Sequence, residues 1–198
     1  MDGQTRSKAE IRAQGLARRK GRGAAEIAAR SAQLGAHVRA APAWQTAGSI
    51  AAFVGVKGEC DTRALLAEAL AAGKHLWLPR MAGRPPQQTI EFVRVTDLAQ
   101  LAPAPFGLLE PRAGEGVVLA DIEVDLVLVP GVAFTREGLR LGYGKGHYDV
   151  ALAPLRDRPR PLRVGVCFAD ELVDALPVEP HDVGVHAVVT EEGLITCL

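Results

Sequence analysis

The run Val124-Asp-Leu-Val-Leu-Val129 passes directly into Pro130-Gly131 and then into a segment punctuated by Gly142, Gly144 and Gly146. A short apolar run bounded by turn residues fits a strand of a sheet interior, which helices must cover. Ser49–Gly55 and His75–Leu78 read the same way. Between them Asp61 or Thr62 can cap a helix through Leu65, Leu66 and Leu70 that ends at Gly73. Strand, helix, strand is the pattern of a βαβ crossover. Ile90–Val95 alternates like a strand with one wetter face, and Leu162–Cys167 and Val185–Thr190 read as two final strands. The expected class is therefore α/β, with a largely parallel or mixed sheet.

The flanking segments fit that class. Ser7 can cap a helix carrying Lys8, Ile11, Arg12 and Leu16, broken at Gly21 and Gly23. A second helix runs from Ala24 to Arg39 with Ile27, Leu34 and Val38 on its apolar side, and Pro42 reads as a stop. Met81–Gln88 and the Pro- and Gly-rich Leu101–Gly116 read as loops. A short helix is expected from about Tyr148, limited by Pro154.

A chain of 198 residues that is 48% hydrophobic suits one compact domain over 1–198, with a helical segment at about 7–40. Its 23 basic and 23 acidic residues balance, which argues against a surface tuned to nucleic acid. Arg18, Arg19, Lys20 and Arg22 read as a solvated cluster. Cys60, Cys167 and Cys197 are too dispersed for a disulfide framework or a metal knuckle, and read as inert. The start lacks a signal-peptide core and no run is long enough to cross a bilayer, so the expectation is a reduced, cytoplasmic, soluble protein.

Ligands of open α/β sheets sit beyond the carboxyl ends of strands, which directs attention to PGVAFTREGLRLGYGKGHYD after Val129. Glycines allow backbone N–H groups to approach a polyanion, Arg140 and Lys145 add positive charge, and Asp149 supplies a carboxylate for magnesium. The spacing is neither GxxxxGK[ST] nor GxGxxG. On spacing alone, a phosphate loop and a flexible turn with solvated cations stay equally open.

The same run closely resembles the signature of the 5-formyltetrahydrofolate cyclo-ligases, approximately PGxxFDxxGxRLGxGKGYYD. Flanking matches follow in order: Lys8 and Arg12, FVGVKGECDT, a Gly-Leu-Leu-Glu-Pro stretch, and PVEPHDVGVHAVVT. The resemblance implies a three-layer sandwich like those of sugar-phosphate isomerases and CoA transferases. It also implies ATP-dependent conversion of 5-formyltetrahydrofolate, polyglutamylated or not, to 5,10-methenyltetrahydrofolate by a monomer without nucleic-acid or membrane partners. Lys8, Arg12 and Arg140 through Tyr148 (Leu141, Gly142, Tyr143, Gly144, Lys145, Gly146, His147) correspond to the ATP site, with Arg140 and Lys145 as catalytic cations. Val56, Glu59 and Asp61, with Tyr143, His147 and Tyr148, correspond to the folate side; Asp61 could equally be only a helix cap. Asp149 and Asp182 correspond to magnesium ligands. His147 stands where the pattern has Tyr, Thr135 where it has Asp, Val150 where a polar or basic residue is usual, and His186 where Asp is frequent.

Overall fold

Ser7 starts the first helix, α1 (Lys8–Lys20), as a full capping box. Its hydroxyl accepts from the Glu10 N–H, and the Glu10 carboxylate accepts from the Ser7 N–H. The structure is a computed structural model that describes residues 6–84 and 88–197. Helix α2 (Ala24–Ala40) follows Gly23 and ends before Pro42 as expected. Pro42 does not stop helix formation, however. It opens a short third helix, α3 (Pro42–Thr46), because its fixed φ suits the first turn, where no N–H is required.

The first strand, β1 (Ser49–Ala51), is shorter than the apolar run Ser49–Gly55. The Thr62 hydroxyl donates to the Phe53 carbonyl at 2.6 Å and accepts from the Gly55 N–H at 3.2 Å. The Ala52 N–H still bonds the Trp77 carbonyl of the neighbouring strand, but the Phe53 carbonyl and Gly55 N–H are satisfied by the Thr62 side chain. Helix α4 (Arg63–Ala71) leads to β2 (His75–Ala82) and β3 (Thr89–Val95). Met81 and Ala82, expected in a loop, pair with Ile90 and Thr89 and lengthen β2; residues 85–87 of that loop lie outside the described residues. The segment Leu101–Gly116, also read as loop, contains the antiparallel pair β4 (Leu101–Pro103) and β5 (Leu109–Pro111), and Gly116 opens β6 (Gly116–Val117).

The strand β7 (Leu126–Pro130) emerges into a hairpin of β8 (Ala133–Phe134) and β9 (Arg140–Leu141). The glycine segment then runs into α5 (His147–Leu152), one residue ahead of the expected start, and Pro154 sits in a 3-10 turn that continues it. Strands β10 (Leu162–Val166) and β11 (Ala187–Thr190) match the two expected final strands. A further one, β12 (Gly193–Thr196), was not foreseen.

Eight strands form one sheet in the order β12-β11-β10-β7-β1-β2-β3-β6. The central strands from β11 to β2 are parallel, and the outer pairings are antiparallel. Alternate residues of β7 take opposite faces. Leu126 and Leu128 pack with Leu34, Val38, Trp44, Leu65 and Leu66, whereas Val127 and Val129 pack with Ala151, Leu152 and Leu155. Helices therefore cover both faces, giving the expected three-layer α/β architecture.

Helix α1 belongs to neither layer. Its Ile11 packs with Ala133, Leu141 and Leu176, seating the helix on the β8–β9 hairpin. Contact is close at Gly15, where a Cβ would stand 2.7 Å from Val132 Cγ1 and 3.1 Å from the Val132 carbonyl. Gly15 is thus what lets α1 lie against the chain leaving β7. Gly15→Val is expected to lose about 1–3 kcal/mol of stability, the usual magnitude of overpacking, read as a lower denaturant midpoint with an unchanged slope.

Candidate functional site

The chain leaves the carboxyl ends of β1, β7 and β10 in three loops, and one side chain of α1 joins them. Arg19 is only 4% exposed. Its Nε donates to Glu171 at 2.6 Å, beyond β10; its Nη1 donates to Glu59 at 3.0 Å, beyond β1; its Nη2 donates to the Gly131 carbonyl, beyond β7. Glu171 is fully buried. Arg22 adds bonds to Glu171 at 2.8 Å and to the Gly58 carbonyl at 2.7 Å. Arg19 and Arg22 are therefore not part of a solvated cluster, contrary to the sequence reading; Arg18 and Lys20 are exposed, in line with it. The physical reason is charge balance, because two guanidinium groups face two buried carboxylates. The signal was present in the sequence: Ile11, Gly15 and Arg19 recur every four residues and define one buried helix face.

Tyr143 ties this network to the glycine segment. Its hydroxyl accepts from Arg19 Nη1 at 2.7 Å and donates to Glu59 Oε1 at 3.0 Å, and its ring lies 5.6 Å from the Arg19 guanidinium carbon. Glu59 Oε2 accepts from the Val56 N–H at 3.0 Å. Burial pushes the Glu59 carboxyl upward against the opposing pull of Arg19, the Val56 N–H and the Tyr143 hydroxyl. Burial, and then the neighbouring Glu59, also raise the Tyr143 phenol.

The glycine segment itself is held from below. Arg12 Nε donates to the Gly142 carbonyl at 2.9 Å, and a Cβ on Gly144 would stand 3.1 Å from the Arg12 guanidinium carbon. Gly144 and Gly146 have φ of 90° and 71°, values that favour glycine. Among the described residues, the N–H groups of residues 143–146 meet no acceptor. Lys145 is exposed beside them, while Leu141 is buried in the hairpin against Ile11. Arg140 lies buried behind the loop, bonded to Asp149 Oδ1, with its Nε unpaired and the Tyr148 ring 6.0 Å away. Burial raises the Tyr148 phenol, whose hydroxyl also has no partner among the described residues. Burial and then Lys145 lower His147, which favours neutral imidazole at pH 7.

The other expected site residues stand as follows. Lys8 Nζ donates to Asp182 at 2.7 and 2.9 Å and to Glu179 at 2.9 Å. Burial alone would lower Lys8 and raise Asp182; hydrogen bonds and opposite charges together outweigh it, from Asp182 and Glu179 on Lys8 and from Lys8, the Glu179 N–H and His181 on Asp182, so Lys8 is raised and Asp182 lowered. Glu179, His181 and Asp182 bring three ligand atoms within 4.8 Å, a space the Lys8 ammonium already addresses. Asp149 keeps Oδ2 unpaired among the described residues, whereas Asp182 has both oxygens engaged, one of them also by the Glu179 N–H. Asp61 stands apart from the Arg19 network: it accepts from the Arg63 N–H at 3.1 Å and pairs with the Arg63 guanidinium, which lowers its carboxyl. Cys60 and Cys167 are buried without disulfides, and burial takes the Cys60 thiol to about 12.

The sequence model of the 5-formyltetrahydrofolate cyclo-ligase family matches residues 4–191. The chain is 35% identical over 153 residues to the 5-formyltetrahydrofolate cyclo-ligase of Mycolicibacterium smegmatis, covering 74% of this chain and 76% of that one. It is 29% identical over 177 residues to the mitochondrial enzyme of that name from Arabidopsis thaliana, covering 78% of this chain and 63% of the relative. The solved structure of Aquifex aeolicus 5,10-methenyltetrahydrofolate synthetase superposes with a TM-score of 0.80 at 34% identity, covering 96% of this chain and 92% of that one.

Because Arg19 holds two buried carboxylates, Arg19→Met is expected to lose about 3–5 kcal/mol, leaving Glu59 and Glu171 without their shared counter-charge. Arg18→Met, on the exposed side of the same turn, should stay within about 0.5 kcal/mol. Chemical denaturation of the two variants beside the parent measures both.

Proposed function

This chain belongs to the 5-formyltetrahydrofolate cyclo-ligase family, and on that footing we propose that it converts 5-formyltetrahydrofolate and ATP to 5,10-methenyltetrahydrofolate, ADP and phosphate. One observation carries the reading. Tyr143, inside the glycine segment, bonds Glu59 in the loop after β1, so a polyanion loop and a carboxylate suited to a donor-rich heterocycle share one seam.

The chemistry accounts for the need for ATP. The formyl oxygen is a poor leaving group. Its attack on the γ-phosphorus, with ADP departing, turns it into a phosphate ester; N10 then attacks the formyl carbon and gives up its proton to solvent, the ring closes, and the C–O bond breaks with loss of phosphate. This demands positioning and charge neutralisation rather than a protein nucleophile. The unpaired N–H groups of residues 143–146 receive phosphate oxygens, Lys145 reaches the transferred phosphoryl group, and buried Arg140 adds fixed positive charge behind it. Arg12 supports the loop from α1 and Lys8 supplies a further phosphate contact. Asp182 and a phosphate compete for the same Lys8 ammonium, so ATP draws Lys8 away from its carboxylates. Glu59 accepts from the pterin edge, Val56 holds Glu59, and Asp61 fixes the start of α4 behind that loop. His147 and Tyr148 border the folate. Neutral His147 can stack there without adding charge.

Magnesium fits the carboxylates present. Asp149 offers its unpaired Oδ2, and Asp182 becomes available as Lys8 turns to phosphate. Asp149 and Asp182 would hold the ion, which would supply positive charge against the phosphates. Lys8 thus exchanges one anionic partner for another, and no buried charge is left bare.

Purified protein given magnesium, ATP and 5-formyltetrahydrofolate is expected to develop methenyltetrahydrofolate absorbance; folded protein that never does so would refute the activity. Lys145→Ala should cut turnover by about 10³-fold, as loss of a phosphoryl clamp does. Steady-state rates within tenfold of the parent would remove Lys145 from that role.

A further inference from the structure

The Tyr143 hydroxyl occupies an unusual position, because it is donor and acceptor to two charged groups at once. It accepts from Arg19 Nη1 at 2.7 Å and donates to Glu59 Oε1 at 3.0 Å. The two charged groups cannot easily move. Arg19 is anchored by Glu171 and the Gly131 carbonyl, and Glu59 by Arg19 and the Val56 N–H. Tyr143 is the movable member: it is 41% exposed and sits in a glycine segment whose backbone N–H groups have no acceptor among the described residues.

A ligand that reaches this spot must replace both bonds of the hydroxyl, or Arg19 loses an acceptor and Glu59 a donor in a buried place. The replacement must therefore present an acceptor and a donor side by side, the acceptor toward Arg19 and the donor toward Glu59. A cyclic amide has that edge: C=O beside N–H. A pterin carries it as the 4-oxo group beside N3–H. We infer that Tyr143 is a stand-in for the lactam edge of the substrate, and that Arg19 and Glu59 are the pair that reads this edge once Tyr143 swings out. The inference rests on the folate reading and adds to it. It makes Arg19 a specificity-determining residue and gives the site a preference between 4-oxo and 4-amino heterocycles. A 4-amino group turns a donor toward the Arg19 donor, and the lone pair of unprotonated N3 then faces the Glu59 carboxylate. Both contacts are reversed.

The test compares two ligands in calorimetric titrations without nucleotide: 5-formyltetrahydrofolate, and the same molecule with an amino group in place of the 4-oxo. The parent protein is expected to bind the oxo compound at least about tenfold more tightly, the scale at which a site built on paired hydrogen bonds rejects a mismatched edge. Tyr143→Phe keeps the ring and removes the competing hydroxyl, so it should bind the oxo compound about fivefold more tightly than the parent while keeping the discrimination. Equal binding of the two compounds by a parent that turns over 5-formyltetrahydrofolate overturns this inference and leaves the proposed activity standing. Unchanged or weaker binding by Tyr143→Phe also overturns it, because the hydroxyl is then not a displaced competitor. A parent that neither binds nor turns over the oxo compound overturns the inference and the activity together.

Discussion

The site depends on one buried cation. Without Arg19, the loops after β1, β7 and β10 would each lose a donor: Glu59 its counter-charge, the Gly131 carbonyl its guanidinium partner, and Glu171 one of the two cations it holds. A guanidinium can serve all three because it is planar, carries five donors and stays charged when buried. Lysine, with a single ammonium on a flexible stem, cannot span the same three acceptors in fixed directions. The cost of burying this charge is offset only while both carboxylates are present, so the network stands or falls as a unit. Arg22 and Arg30 extend it outward, both over the Phe168 ring, to Asp170 and Glu191.

How much of this was legible in the sequence differs between sheet and site. The central strands could be read because burial on both faces leaves nearly continuous apolar runs, as at Leu126–Val129. Their ends could not, because what terminates β1 is the Thr62 hydroxyl rather than any local breaker. Strand β12 escaped notice because Gly193-Leu-Ile-Thr196 is short, half-exposed and defined by its pairing to β11. The glycine segment was legible because backbone freedom and charge are local properties. The link between that segment and Glu59 was not, since it depends on a phenol 84 residues away. Arg19 was misread because charge ordinarily signals solvent, and what reverses the rule, Glu171, lies 152 residues along the chain.

Family membership and geometry do different work. The family supplies the reaction; the geometry supplies the reason particular residues of this chain suit it. Lys8 faces Asp182, Arg140 faces Asp149, and Arg19 faces Glu59 and Glu171. Of the cations proposed for phosphate, Lys8 and Arg140 are already neutralised by an acid, Arg12 bonds the Gly142 carbonyl and Lys145 is left in solvent. Such pairing keeps a cluster of cations from repelling itself while no ligand is bound.

The seating of α1 has a consequence for how the chain comes to its folded form. This helix precedes every strand of the sheet, yet its Arg19 bonds to residues 40, 112 and 152 positions later. It can nucleate through its own capping box and seat Ile11 on the β8–β9 hairpin, but its Arg19 lacks Glu171 until β10 and the turn after it have joined the sheet. Contacts so distant along the chain form late and slow the final assembly step. The Arg19 network therefore closes only once segments 152 residues apart have met. A chain cut short before Glu171 would carry the glycine segment and all of α1 and still lack the partner that closes them together.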